Sequence, residues 1–425
     1  MAPQIMSTPT ANFGGNNGMI ILADDLSGAQ ECIAAASRIP VGSIARTAPI
    51  ATTILLGKEG TLPDAEILAI DTDSRCMPSE DATEQIHRAL ELLSTRKNFE
   101  TGSPDQIFLK FDSILRGNIA AQLGKASEKI GPIVFCPAVP ELNRVTRNGV
   151  VYVNQVPLAN TGLWHMEPDF APKSIEETLD GLETASISLE QVRSGALASI
   201  LDGFPASIQV ILCDAETAED LDALALAITS TGLAAAGASG LCASLARALP
   251  PSSHLPQDGS SNICRDFPNV DPPGALFIVG TASKQAQKQV RVLKNHGIQK
   301  VSWSLGNTDD LPEGNCVITV KGPIRPEKSS QIDEAVAELV ANNHRGRDLF
   351  LTGGQTARSV LDALGVTELH PIAQPEIGTV ISCTADGRLI VTRPGSFGTT
   401  DNLLNSLRTI QQLRALSSSI ERTSS

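Results

Sequence analysis

Two adjacent carboxylates, Asp24 and Asp25, end the apolar run Met19–Ala23, and Leu26-Ser27-Gly28 then leads into helix formers from Ala29 to Arg38. A carboxylate at a strand end beside a helix N-terminus can take a proton, hold a metal or simply cap the helix, and Ser27 competes for the capping role. A second polar segment, Asp71-Thr72-Asp73-Ser74-Arg75, closes the next run with acids, hydroxyls and a guanidinium, a set that an ordinary polar turn would also contain. The densest segment is Lys110 to Asn118, where Lys110, Asp112, Ser113, Arg116 and Asn118 fall within nine residues. Arg116 there can grip a carboxylate bidentately while its polar neighbours take hydroxyls. Residues 137–149 add arginines after another apolar run, a weaker signal.

The second half of the chain offers glycine turns instead. Gly280-Thr281-Ala282-Ser283, Thr352-Gly353-Gly354-Gln355-Thr356 and Pro394-Gly395-Ser396-Phe397-Gly398 each follow an apolar run. Backbone N–H groups at such turns can cradle phosphate, although glycine also serves backbone geometry alone. Three in one half favour a nucleotide. Neither G-x-x-x-x-G-K-[ST] nor G-x-G-x-x-G occurs, so a P-loop enzyme and a dinucleotide dehydrogenase are unsupported. Asp71-Thr72-Asp73 imitates the start of an aspartyl-phosphate phosphatase, but Arg75 stands where a small residue belongs and no later acidic motif completes the set.

These segments need strand ends to carry them. Short apolar runs (Met19–Ala23, 66–70, 106–111, 131–136, 207–213) alternate with helical patterns, which predicts an α/β fold of two domains with mainly parallel sheets facing each other across a cleft. From Pro250 to Gly274 six prolines in 25 residues break any regular element. The expected organisation is a flexible tail at 1–18, a domain at 19–249, a linker at 250–274, a second domain at 275–416 and a flexible tail at 417–425. Within the second domain, strands at 275–279, 300–305, 315–320 and 348–351 alternate with helices at 283–296, 331–342 and 356–364. A hairpin forms around Asp386-Gly387, and a last helix spans about 401–416.

The 425 residues hold 33 Lys and Arg against 47 Asp and Glu, a net charge of −14 that gives no field for nucleic acid. The eight cysteines are scattered singly, without C-x-x-C pairs or nearby histidine clusters, so they read as reduced thiols rather than zinc ligands or a disulfide framework. The first eighteen residues lack the pattern of a secretory signal, and no apolar run approaches a membrane span. A cytoplasmic protein without membrane partners is expected.

Taken together, the motifs resemble the four-carbon acid sugar kinase family of threonate, erythronate and 3-oxo-tetronate kinases, from about Met19 to Leu407. The family's A-D-D-L-T-G-A appears as Ala23-Asp24-Asp25-Leu26-Ser27-Gly28-Ala29, and its D-T-x-S-R as Asp71-Thr72-Asp73-Ser74-Arg75. Lys110 to Asn118 matches K-x-D-S-x-L-R-G-N throughout. In the second half Gly280-Thr281-Ala282-Ser283 stands for G-S-x-S with Gln289 following, Gly353-Gly354-Gln355-Thr356 for G-G-[DE]-T, and 393–398 for K-S-G-x-F-G. The departures are Gln355 for an acid, Arg393 for lysine, Pro394 and Thr281 for serines, and Asn143 for the glycine before Arg144.

The resemblance implies an N-terminal acid-sugar domain, a C-terminal nucleotide domain, and transfer of the ATP γ-phosphoryl, with Mg²⁺, to a terminal hydroxyl of a sugar acid. It assigns Asp24 or Asp25 to the attacking hydroxyl, and Ser74, Arg75, Lys110, Asp112, Ser113, Arg116 and Asn118 to the acid. It assigns Gly280, Ser283, Gly353, Gly354, Gln355, Thr356, Gly395, Phe397 and Gly398 to the nucleotide. The metal ligands and any self-association stay open. Gln355 leaves two readings, a weakened nucleotide turn or one re-tuned together with Arg393 and Pro394. A weakened sugar-acid-binding protein and a sugar-phosphate phosphatase are the competing functions.

Overall fold

Every residue of the strand Met19–Ala23 is buried, with alternate side chains entering opposite cores. Ile21 joins Phe108 and Val134 beneath the helix Leu26–Ala36, while Ile20 and Leu22 join Leu68, Ile86 and Phe135 on the other face. A strand apolar on both faces belongs to a parallel sheet covered by helices on both sides. The computed structural model describes residues 18–39, 41–44, 51–55, 62–63, 65–95, 105–165, 167, 169–249, 272–280, 283–306, 310–320, 329–395 and 398–424, with backbone alone at 43–44 and 417–424. Of the expected tail at 1–18 and linker at 250–274, residues 1–17 and 250–271 lie outside the described residues.

In the N-terminal half the strands run parallel in the order Thr184–Ile187, Val210–Cys213, Ile133–Cys136, Ala234–Gly237, Gln106–Lys110, Met19–Ala23, Ile67–Asp71, Ala51–Leu55. The last of these pairs antiparallel with Glu368–Glu376, placing Glu368 opposite Ile54 and Leu369 opposite Thr53. The sheet continues through Thr379–Cys383, Leu389–Arg393, Asp348–Thr352, Ala275–Val279, Cys316–Val320 and Gln299–Trp303. Both halves therefore share one backbone ladder. The expected hairpin around Asp386-Gly387 is present as the antiparallel pair Thr379–Cys383 and Leu389–Arg393.

Register decides what the strand ends bring together. Ala23 is level with Asp71 on one side and Lys110 on the other, so the three polar segments of the first half leave the sheet at one edge. Val279 is level with Thr352, and Thr352 with Arg393, which aligns the three glycine turns in the same way. Ligands of open α/β sheets bind beyond such carboxyl ends. A small antiparallel sheet of Arg144–Arg147, Val150–Val153 and Val156–Pro157 forms separately. The last helix runs Asn402–Ser424, farther than the repeat of apolar residues predicts.

Candidate active site

The two leading carboxylates have different environments. Asp25 is the N-cap of the helix Leu26–Ala36, its Oδ1 accepting the Gly28 N–H at 2.9 Å, so it and not Ser27 performs the capping. Asp24 is fully enclosed and turns both oxygens to Arg75, accepting from Nε at 2.9 Å and Nη2 at 2.6 Å. The same Nη2 donates to Asp25 Oδ1 at 2.7 Å. Arg75 thus clamps both acids, and Asp25 alone of the two lines a cavity of about 860 Å³ between the halves.

The Lys110 segment forms the adjoining wall. Arg116 donates to Asp112 through Nε at 2.6 Å and Nη2 at 3.2 Å, so its fork is engaged by a carboxylate of the same loop. Burial pushes the Asp112 carboxyl up, but Arg116, helped by Arg75 and Lys110, more than offsets this and holds it well below the usual carboxylate range. Lys110 is buried with Nζ donating to the Phe111 carbonyl at 3.0 Å. Burial pulls its ammonium down, but Glu31 together with Cys32 and Asp25 outweighs that, leaving it above its ordinary value. Arg144 donates through Nη1 to Ser113 Oγ, and burial lowers its pKa. Lys110, Arg116 and Arg144 thus share this wall with the carboxylates of Glu31, Asp112 and Glu167.

Two of the expected substrate residues have structural duties. Ser74 is buried behind the wall, bonded to Gln122 Oε1 at 3.1 Å and Thr72 Oγ at 2.8 Å, and does not line the cavity. Asn118 does line it, but its amide donates to the Ser74 and Met77 carbonyls at 3.1 and 2.8 Å, tying the two loops together.

From the other half, Gly280, Gly353, Gly354, Gln355, Thr356 and Gly395 line the cavity. Gly353 adopts φ 96, a left-handed conformation that favours glycine. At Gly354 a Cβ would lie 2.6 Å from Asp25 Oδ2 and 3.3 Å from Ser27 Oγ, so only glycine lets this turn approach the carboxylate so closely. Thr356 Oγ1 donates to Asp333 Oδ1 at 2.6 Å, and burial raises the Asp333 pKa. The Gln355 amide crosses between the halves to donate to Asp73 Oδ1 at 3.0 Å, and burial pushes Asp73 up to about 6. Ser283 caps the helix Lys284–Asn295 through the Ala286 N–H, and the Gly398 carbonyl accepts from Gln285 at 2.8 Å; neither residue lines the cavity. Phe397 and Thr281 lie outside the described residues.

The cavity is also lined by residues that motif reading passed over. Asp333 comes from the interior of the helix Ser329–Asn343, Glu31 from the second turn of Leu26–Ala36, and Trp164, His165, Glu167 and Asp169 from an irregular segment. No local spacing marks these positions. Arg144 had a signal, since it follows the predicted strand at 131–136.

Comparison with known proteins agrees with this layout. Residues 19–245, more than half of the chain, match a family model described as a sugar-binding N-terminal domain, and residues 318–403 match one described as a nucleotide-binding C-terminal domain. A D-threonate kinase of Cupriavidus necator is 28% identical over 431 residues, covering 93% of this chain and 99% of the relative. A 3-oxo-tetronate kinase of Burkholderia multivorans is 23% identical over 430 residues, covering 92% and 96%. A solved structure from Salmonella typhimurium LT2 shares the fold, with a TM-score of 0.72 at 18% identity over 92% of this chain and 99% of that one. On these matches and the motifs that line the cavity, the chain belongs to the four-carbon acid sugar kinase family.

Proposed function

We propose that the protein is an ATP-dependent, Mg²⁺-dependent kinase that phosphorylates a terminal hydroxyl of a four-carbon sugar acid such as threonate, erythronate or 3-oxo-tetronate. The domain at 19–249 takes the acid and the domain at 275–416 the nucleotide. The observation that carries this reading is the close approach of Asp25 Oδ2 to Gly354 in a cavity that Lys110, Arg116 and Arg144 also line. These cations attract the acid's carboxylate. Its terminal hydroxyl then points at Asp25, beside the glycine turn that receives the phosphates.

Asp25 accepts the hydroxyl proton as the new bond from that oxygen to the γ-phosphorus forms and the bond to the β–γ bridging oxygen breaks. Positioning and charge neutralisation supply most of the rate in such transfers. The donor set fits Mg²⁺, which takes one or two carboxylates together with phosphate oxygens, and Asp333, beside Thr356 of the glycine turn, is the cavity carboxylate that would hold it. When bound, the ion neutralises charge on the transferred group. Among the described residues no helix is long and apolar enough to cross a membrane.

A coupled ADP-release screen against threonate, erythronate and their 3-oxo forms, with ATP and Mg²⁺, tests the proposal. Acid-dependent ADP release is expected. Phosphate release from sugar phosphates without nucleotide would point to a phosphatase instead, and acid binding without turnover to a binding protein.

Gln355 gives a second test. Its hydrogen bond to Asp73 favours the re-tuned reading, because Gln355→Glu or Gln355→Asp would set a second carboxylate against Asp73 Oδ1. Both variants are expected to lower kcat/KM for ATP by roughly tenfold, the scale of one lost polar contact plus like-charge repulsion. Tighter ATP use across a Mg²⁺ series by either variant would restore the weakened-turn reading.

A further inference from the structure

We infer that Arg358 is a positioning residue for phosphoryl transfer, fastening the helix that begins at the glycine turn to the strand end whose loop holds Asp25 in place. The inference rests on the kinase reading above. Arg358 lies in the helix Gly354–Ala363, buried, with Nη1 donating to Asp71 Oδ2 at 2.9 Å and to the Asp71 carbonyl at 3.3 Å. Its Nε donates to Asp362 Oδ2 at 3.0 Å, one turn on. Gln355 is three residues earlier on the same helix face and grips Asp73, so two side chains of one helix hold two residues of one loop.

Asp71 is where the contacts converge. While Oδ2 takes Arg358, Oδ1 accepts the Asp73 N–H at 3.1 Å and shapes the turn. Asp73 itself sits at φ 50, an unfavourable conformation for a residue with a Cβ, which the surrounding bonds must enforce. Two residues later Arg75 clamps Asp24 and Asp25. An unbroken series of contacts therefore links the turn at Gly353-Gly354 through Arg358, Asp71 and Arg75 to the carboxylate proposed as base. Both ends of the reacting assembly are set by it. A guanidinium suits the post because its fork reaches Asp71 through Nη1 and Asp362 through Nε together, whereas an ammonium offers one nitrogen.

Neither Arg358 nor Asp71 lines the cavity, so losing their pairing should move the reacting groups apart while leaving both binding surfaces in place. Displacements of about 1 Å cost on the order of 10²-fold in rate. Arg358→Met, Arg358→Lys and the double variant Asp71→Asn with Arg358→Met test this by steady-state kinetics in ATP and sugar acid, with thermal melting to verify folding. The double variant removes both charges of the Asp71–Arg358 pair at once, so Asp71 is not left as a buried carboxylate without its cation.

For Arg358→Met and the double variant we expect kcat to fall by about 10- to 100-fold, with both KM values within about threefold of the parent. Arg358→Lys should recover part of the loss. A merely structural role predicts a lower melting temperature with parental kcat in the folded fraction, and that result overturns the inference. So does a loss confined to KM. If the parental protein releases no ADP with any of the acids, the kinase reading fails and the inference with it; parental activity retained by both folded variants sinks the inference alone.

Discussion

Asp25→Asn lowers kcat by about 10²- to 10⁴-fold, the range associated with removing a general base, while ATP and sugar-acid binding persist. Asparagine is as good an N-cap as aspartate, so the bond from Gly28 N–H to Oδ1 survives and the helix Leu26–Ala36 keeps its start. The substitution therefore separates proton acceptance from capping. Asp24 is not the equivalent test, because it is buried with both oxygens on Arg75 and does not line the cavity. Rates measured at saturating substrates across pH, with calorimetric titration of each ligand, check the expectation. Near-parental kcat in Asp25→Asn would mean that the residue only caps a helix.

The second large effect is on folding. Arg75→Met leaves Asp24, 1% exposed, without its bidentate cation and strips Asp25 Oδ1 of one donor. Breaking a buried pair from one side costs about 3–5 kcal/mol, because the remaining charge stays desolvated and uncompensated. Combining it with Asp24→Asn removes the stranded charge and should recover a large part of the loss, since the two sites are in direct contact and their effects do not add. Urea unfolding of the two single variants and the double variant measures this. Arg75→Met within about 1 kcal/mol of the parent, or a double variant no better than the single one, would show that the clamp contributes little. An arginine expected to bind the substrate acid from its motif would then be available for it. With a large loss, its main work is holding Asp24 and Asp25.

The strands that failed to show in the sequence have physical reasons in common. Ala234–Gly237 reads as a weak strand former, yet it lies between Ile133–Cys136 and Gln106–Lys110, where burial and a close backbone approach at Gly237 favour small residues. Glu368–Glu376 contains Pro371 and Pro375, which argue against an interior strand, and it is accommodated by register shifts on its Thr379–Cys383 side. By contrast, Met19–Ala23 and Ala275–Val279 are legible to the residue, because strands buried on both faces must be continuous apolar runs.

What the sequence by itself determined is the set of chemical groups and the strand ends that carry them: Asp24-Asp25, Arg75, the Lys110–Asn118 run and the glycine turns at 280, 353 and 395. Local spacing suffices there because each motif is one loop leaving one strand. Tertiary structure alone decided which groups meet. Asp24 and Asp25 are neighbours in the chain, but a guanidinium 50 residues away separates a buried partner from a carboxylate facing the cavity. Gln355 and Arg358 reach Asp73 and Asp71 across more than 280 residues, and Asp333 enters the cavity from a helix interior with no motif of its own. Such pairings depend on strand order and on the antiparallel junction of Ala51–Leu55 with Glu368–Glu376, which fixes the two halves against each other. Contacts that form across a sheet carry no period in the sequence, since chain separation and spatial separation are unrelated there.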